Sequence, residues 1–371
     1  MADIISEIKG AIVSIKVVGV GGGGNNVLLR LLEDKAADVE LIGINTDSKQ
    51  LACLENAGVE VLQIGERYTR GRGTGGNISQ GEAAAVEDEE RIAGLLRGAD
   101  LIFVTASMGG GTGTGAAPVV AKVAREMGIL SVGVVTLPFG FEGSRKMRIA
   151  KEGVGKMQAY MDALIVINND NLMKLPENRR MSMVQAFKAA DEILRQAISC
   201  ISEMVLTTGV VNVDFADLTS IFRQSDSSDA ILGIGFSEGG HAVEAVQRAI
   251  ESPLIEKTLA GARGIIINIG GGEELSLAEV NDATQYIYEN THDDVNIIFG
   301  VVIDKTLGES VRATIVATDF ADSISVKAPK LGNVKEQLSS CEIVLPDFMT
   351  SKMQDVSSFD IPVFNKDNPQ K

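Results

Sequence analysis

The run Gly109-Gly110-Gly111-Thr112-Gly113-Thr114-Gly115 constrains this chain more than any other stretch. Before it stands Leu101-Ile102-Phe103-Val104-Thr105-Ala106, apolar and strand-like, and after it an alanine-rich helical stretch over 116–127. A glycine loop between a buried strand and a helix start is where a doubly wound α/β sheet binds phosphate. Five glycines keep side chains out of the way, so backbone N–H groups can turn toward an anion, and the helix start adds partial positive charge. The two threonines add hydroxyl donors. A flexible linker would have polar coil on both sides; these flanks are strand and helix.

A second glycine run lies near the start. The apolar segment 11–20 leads into Gly19-Val20-Gly21-Gly22-Gly23-Gly24-Asn25-Asn26 and a helical stretch over 27–33. Gly19, Gly21 and Gly24 fit the G-x-G-x-x-G dinucleotide fingerprint. That fingerprint wants an acid about 20 positions on, at the end of the second strand, for the ribose. Here the strand 41–44 ends in Asn45-Thr46, with Asp47 slightly late. A nicotinamide enzyme also has no use for a second glycine loop at 109–115.

The alternation of strand and helix continues through a strand at 59–64 and a glycine-rich run, Thr69-Arg70-Gly71-Arg72-Gly73-Thr74-Gly75-Gly76-Asn77-Ile78. Residues 81–96 read as one helix with Glu82, Glu87, Asp88, Glu89 and Glu90 on a solvated face. After the strand 129–136, Phe141-Glu142-Gly143 opens a helix on which Glu142 and Lys146 share one face, the spacing of a plain ion pair. A strand over 163–167 runs into Asn168-Asn169-Asp170-Asn171. The longest helical stretch, 182–206, repeats Val184, Phe187, Leu194, Ala197, Ile198, Ile201 and Val205 as a core-facing stripe. On periodicity alone Phe187 belongs to the core and Asp191 to solvent.

Asn212-Val213-Asp214-Phe215-Ala216-Asp217 comes next. Asn212 suits the N-cap of a helix over 215–222. Asp214 and Asp217, three apart, project from one side of its first turn, where acids also compensate the helix dipole. Alternating segments over 230–317 then make a second α/β unit with few catalytic residue types. Residues 322–358 have no periodicity and read as a linker.

Composition excludes some partners. The chain has 371 residues and a net charge of −16, which argues against nucleic acid. Its length and 45% hydrophobic content allow two domains. Cys53, Cys200 and Cys341 are scattered without metal spacing, as in a reducing cytoplasm, and His241 and His292 make no site. No signal peptide is read. The apolar run 11–20 is interrupted by Lys16 and too short to span a bilayer, so no membrane insertion is expected.

GGGTGTG, with Phe103-Val104-Thr105-Ala106 before it and Ala116-Ala117-Pro118 behind it, resembles the signature of the tubulin and FtsZ group of cytoskeletal GTPases, in its bacterial branch. The resemblance runs from about Ile12 to Phe320. It implies an α/β fold: a Rossmann-like doubly wound GTPase domain (11–181), a long central helix (182–207) and a smaller α/β activation domain (208–320). Around these it places an extension (1–10), a flexible linker (321–358) and a tail peptide (359–371). It implies GTP/GDP binding with Mg²⁺ through Gly21, Gly22, Gly23, Asn25, Asn26, the γ-phosphate-sensing Gly75, Gly76 and Asn77, and the loop Gly109 to Gly115. It also gives Glu142 to the ribose, Lys146 and Asn169 to the nucleotide, and Phe187 and Asp191 to the base. A phenyl ring can stack on a purine, and a carboxylate can accept from both N1–H and N2–H₂ of guanine.

By the same resemblance Asn212, Asp214 and Asp217 form the loop that enters the next subunit's site and orients the attacking water. Catalysis would then require a head-to-tail homopolymer, a cytoplasmic division ring at mid-cell. The tail Phe359-Asp360-Ile361-Pro362-Val363-Phe364 resembles the peptide that binds division proteins and membrane anchors. Several positions depart from the family pattern. Thr74 and Gly76 replace small apolar residues, Arg72 replaces Leu, Ile78 replaces Pro and Lys146 replaces Arg. Asn168 stands for Pro, and Asp319 for a glycine. These departures point alternatively to a divergent paralogue that binds GTP and assembles as a slow-hydrolysing scaffold.

Overall fold

The structure is a computed structural model. It describes residues 13–33, 39–174, 181–206, 213–224, 227–255, 259–291 and 295–320. The expected extension, linker and tail, with Asn212 and His292, lie outside the described residues.

Apolar strands and amphipathic helices alternate through the first half. The strands are β1 (Ile15–Val20), β2 (Glu40–Asn45), β3 (Glu60–Gln63), β4 (Leu101–Ser107), β5 (Leu130–Leu137) and β6 (Ala163–Asn168). They form a parallel sheet in the order β3-β2-β1-β4-β5-β6. Every residue of β1 and β5 is buried, as expected of parallel strands covered on both faces. The two-residue period of a strand divides them between two cores: Val17 packs in one and Val18 in the other. The chain order reverses between β1 and β4, so their carboxyl ends open a crevice there.

The helices are α1 (Gly21–Glu33), α2 (Ser48–Asn56), α3 (Ile78–Glu87), α4 (Glu89–Leu96), α5 (Gly111–Glu126), α6 (Ser144–Gln158) and α7 (Met183–Leu206). Residues of α1, α2 and α7 share one core, and residues of α3, α4, α5 and α6 share the other.

Two expectations need correction. The single helix expected over 81–96 is two helices that part at Asp88. Its carboxylate is buried, accepting from the Gly65 N–H at 2.8 Å and from Arg91 at 2.8 Å. Asp88 therefore does not belong to a solvated acidic face. The core stripe of α7 holds from Leu194 onward, but Val184 is 66% exposed and Phe187 is 40% exposed. Ala186 and Ala190 take the buried positions in that half.

The C-terminal part contains α8 (Phe215–Arg223), β7 (Asp229–Ser237), α9 (Ala242–Ile250), β8 (Ala262–Gly271), α10 (Leu277–Glu289), β9 (Asn296–Ile303) and β10 (Val311–Phe320). The second α/β unit continues the same sheet, which has ten strands ending β6-β7-β10-β8-β9. The join is narrow: β7 pairs with β6 at Leu164–Asp229 and Ile165–Ala230, whereas it pairs with β10 from Thr318–Ala230 to Val311–Ser237. Asp319, where a glycine was expected, has φ 57° and so occupies the left-handed region; its carboxylate accepts from Gln224. Among the described residues no helix is long and apolar enough to cross a membrane.

Candidate functional site

A cleft of about 350 Å³ opens at the carboxyl ends of β1, β2, β4 and β5, large enough for a small ligand on the usual scale of roughly 300–1,000 Å³. The predicted Gly22, Gly23, Gly109, Gly110, Gly111, Thr112, Gly113, Glu142, Lys146, Asn169, Phe187 and Asp191 all line it.

The floor is made by the two glycine loops in contact. Gly21 begins α1 with φ 71°, and a Cβ there would stand 2.7 Å from the Gly113 nitrogen. Any larger residue would push the loops apart. The second loop ends at Gly110, which caps α5 without any side-chain hydrogen bond. The first amides of α5 have no intrahelical acceptor and their dipole favours an anion. Thr112 contributes a hydroxyl that pairs with the Thr46 hydroxyl at 2.7 Å.

Other predicted residues support this floor from behind. Thr114 is fully buried, and its hydroxyl accepts from the Gly109 N–H at 2.8 Å, so it braces the loop. Gly115 packs against α3, where a Cβ would stand 2.4 Å from the Ile78 oxygen. Asn25 is buried; with its amide oriented to satisfy its neighbours, it donates to the Gly21 and Gly19 oxygens at 3.1 and 2.9 Å and accepts from Asn45 at 3.0 Å. Gly21, Asn25, Thr114 and Gly115 thus shape the loops without lining the cleft. Asn26 is exposed outside it.

The run 69–78 folds over one end. Gly75, Gly76 and Asn77 are exposed and do not line the cleft. Asn77 is the N-cap of α3, its side chain accepting from the Gln80 N–H at 3.3 Å. Gly73 and Thr74 are the members of this run that line the cavity.

The other end is aromatic and acidic. The Phe187 ring meets Phe139 edge-on at 5.3 Å and Phe141 at 6.3 Å, and leaves much of its own surface open. Asp191 has no hydrogen-bond partner among the described residues, and its pKa is raised to about 6. Burial drives the rise, and the Arg30 charge opposes it. Asn168 caps the short turn Asn169–Leu172 by accepting from the Asp170 N–H. That turn holds Asn169 at 4% exposure with its Oδ1 unpaired. A buried acceptor without a donor fits a ligand that brings one. Glu142 accepts from the Phe139 N–H at 2.9 Å and from Lys146 at 3.1 Å, so the i,i+4 ion pair exists and both its members face the cleft.

Asp214 and Asp217 are elsewhere. Both are exposed and neither lines the cleft. Asp214, rather than Asn212, is the N-cap of α8, and its side chain makes no capping hydrogen bond. Its carboxylate is therefore free to meet another partner.

Sequence reasoning weighed Asn45 and Asp47 only against the dinucleotide fingerprint and passed over Gln50 in the first turn of α2, and Ser107 and Thr136 at the ends of β4 and β5, all of which line the cleft. The signal was available: strand ends converge at the point where a doubly wound sheet reverses its order.

With this geometry in place, comparisons with known proteins are specific. Residues 14–177 match the Tubulin/FtsZ family, GTPase domain, and residues 228–321 match the FtsZ family, C-terminal domain. An FtsZ point mutant from M. jannaschii superposes with a TM-score of 0.79 at 37% identity, covering 86% of this chain and 95% of that one. An empty FtsZ dimer from M. jannaschii gives 0.80 at 37%, covering 90% and 97%. CetZ2 from Haloferax volcanii, solved as a GTPγS-bound protofilament, gives 0.69 at 21%, covering 84% and 95%, a likeness of fold.

Proposed function

This chain belongs to the Tubulin/FtsZ family, and from that premise we propose that it is a GTP-dependent, self-polymerising cytoskeletal GTPase that hydrolyses GTP between subunits and forms the division ring in bacterial cytokinesis. The observation that carries the reading is a separation: the binding cleft is complete in one chain, while Asp214 and Asp217 stand exposed outside it.

Guanine stacks on Phe187 and offers N1–H and N2–H₂ to the Asp191 carboxylate. The unpaired Asn169 Oδ1 accepts a further donor. Glu142 meets the ribose, and the phosphates lie over the uncapped start of α5. Among the described residues no three acid, histidine or cysteine side chains gather into a metal cage. Mg²⁺ would be held chiefly by the phosphates, with the side-chain oxygens of Asp47 and Gln50 at the cleft wall, and would neutralise phosphate charge. Asp214 and Asp217 of one subunit polarise the attacking water in the cleft of the next, since phosphoryl transfer needs mainly positioning and electrostatics. An FtsZ solved as a dimer supports self-association. The tail, through Asp360 to Phe364, would tether this polymer to division proteins and membrane anchors at mid-cell in the cytoplasm.

The scaffold alternative rests on the family departures, and several of these are absorbed by the fold. Asn168 caps a turn, Asp319 occupies the left-handed position a glycine would, and Lys146 faces the cleft. GTP turnover against protein concentration, beside a pelleting assay, tests the reading. Turnover per subunit should be near zero when dilute and rise above a critical concentration. GTP-dependent pelleting with little turnover at any concentration would support the scaffold instead.

A further inference from the structure

Arg223 is the last residue of α8, the helix that Asp214 caps and whose first turn holds Asp217. Its guanidinium reaches across to the turns that precede β5 and β6. Nη2 donates to the Gly128 oxygen at 3.2 Å, and Nε stands 3.5 Å from an Asp162 carboxylate oxygen. Asp162 is a fixed anchor. Its other carboxylate oxygen accepts from the Ser131 N–H at 2.9 Å and from the Ser131 hydroxyl at 3.2 Å, and its own N–H donates to the Ser131 carbonyl oxygen at 3.1 Å. Gly128 and Asp162 lie at the amino ends of β5 and β6, away from the cleft at the carboxyl ends.

The next residue holds the other half. Gln224 donates to the Asp319 carboxylate at 3.2 Å, near the end of β10. Two consecutive side chains at one end of α8 thus grip the strands on either side of the narrow join, where Leu164 of β6 meets Asp229 of β7. Along the helix, Leu218, Ile221 and Phe222 are buried in the core that α7 shares. The front is held less, because Asp214 makes no capping hydrogen bond and Asp217 is exposed. The nine residues of α8 form one stiff rod, roughly 13 Å long, so a tilt released at Arg223 displaces the acids at the far end. A half-exposed ion pair contributes little to stability; its consequence is where α8 points.

Resting on the reading of a GTPase completed between subunits, we infer that Arg223 is a positioning residue: its clasp on Asp162 and Gly128 fixes the tilt of α8 and so aims Asp214 and Asp217 at the cleft of the next subunit. Arg223 touches neither nucleotide nor water. It acts through the helix, and it matters for turnover because a water held by two carboxylates tolerates little displacement: a misplacement of about 1 Å can cost up to about a hundredfold in rate. A planar fork suits the task, since one guanidinium meets a carboxylate and a carbonyl at once.

The test compares the wild type, Arg223→Met and Arg223→Lys as full chains, by GTP turnover and pelleting above the critical concentration and by GTP affinity in dilute protein. Arg223→Met keeps the aliphatic stem without the fork. Its kcat should fall by roughly tenfold, while KM, dilute GTP affinity and the pelleted fraction stay within about twofold. Arg223→Lys, which keeps a cation within reach of Asp162, should recover most of the loss. Unchanged turnover in Arg223→Met, no recovery in Arg223→Lys, or a loss of turnover matched by an equal loss of pelleting overturns the inference and leaves the GTPase reading standing. If Arg223→Met does not fold, Arg223→Gln against Arg223→Lys reads the same difference. Wild-type turnover that does not rise with protein concentration would instead overturn the reading of a shared site, and this inference with it.

Discussion

The nucleotide cleft and the start of α8 carry their polar groups in opposite ways. Around the cleft, polar side chains are buried and braced: Asn25 ties the first glycine loop to the end of β2, Thr114 holds Gly109, and Asn169 presents an unpaired oxygen. At α8, Asp214 and Asp217 lie in solvent with no side-chain hydrogen bond holding Asp214. A buried, preorganised set is ready to bind at once. An exposed pair of carboxylates is hydrated and becomes effective only when another surface excludes the water around it. On the proposed reading, binding and hydrolysis would fall to different surfaces of one chain.

The sharpest way to break this contrast is Asp214→Ala. Turnover in assembled protein should fall by roughly two orders of magnitude or more, on the scale of losing a positioned charged group, while GTP affinity of the dilute protein stays the same. Full residual turnover would remove Asp214 from the chemistry. The same variant should leave thermal stability nearly unchanged, since its side chain makes no cap bond.

Asp191 sharpens the contrast from the cleft side. Its pKa of about 6 lies above the ordinary carboxylate value of 3.8, because burial disfavours the charge. The raised value means that the folded state binds the proton more tightly than the unfolded chain. The ionised carboxylate therefore costs stability, fully above pH 6 and not at all below about pH 4. Asp191→Asn should stabilise the nucleotide-free protein at neutral pH by about 1–2 kcal/mol, with the gain fading as pH falls from 6 to 4 in thermal melts. GTP affinity of the wild type should weaken as pH drops through 6, by at most about tenfold per unit, and that pH dependence should be absent from Asp191→Asn. A flat wild-type profile would detach Asp191 from the base.

The smallest effect belongs to the C-terminal part. Asp319→Gly relieves a left-handed backbone but loses the bond from Gln224, so stability should change by less than about 1 kcal/mol. A larger loss in denaturant titration would show that the carboxylate, not the backbone, decides this position.

Much of this was legible in the residues themselves. A glycine heptapeptide between strand and helix predicts an anion site because the chemistry and the local structure are consecutive in the chain. Phe187 was harder, since its spacing matches the core stripe of α7. Only the small Ala186 and Ala190 on the buried side reveal that the ring is turned outward. Asn45, Asp47 and Gln50 could be grouped only from sheet order, because nothing local brings them together. They meet where separate strands end, and that convergence depends on sheet order. Asp88 was misread for a related reason: its partner Gly65 lies 23 residues away and no periodicity reports it.

The narrow join between β6 and β7 has a mechanical consequence. In a head-to-tail filament, tension enters each subunit near the cleft and leaves near α8, and the backbone ladder between these halves is only two rungs wide. Such a ladder yields early under load. Beside it the pull would be shared by the Gln158–Asp229 and Arg223–Asp162 contacts and by side chains packed around α7, where Leu194, Ile198 and Ile201 share a core with Leu218, Ile266 and Val316. That contact is greasy rather than laddered, so in such a filament the join would flex as a loaded hinge before any strand of the binding cleft is torn.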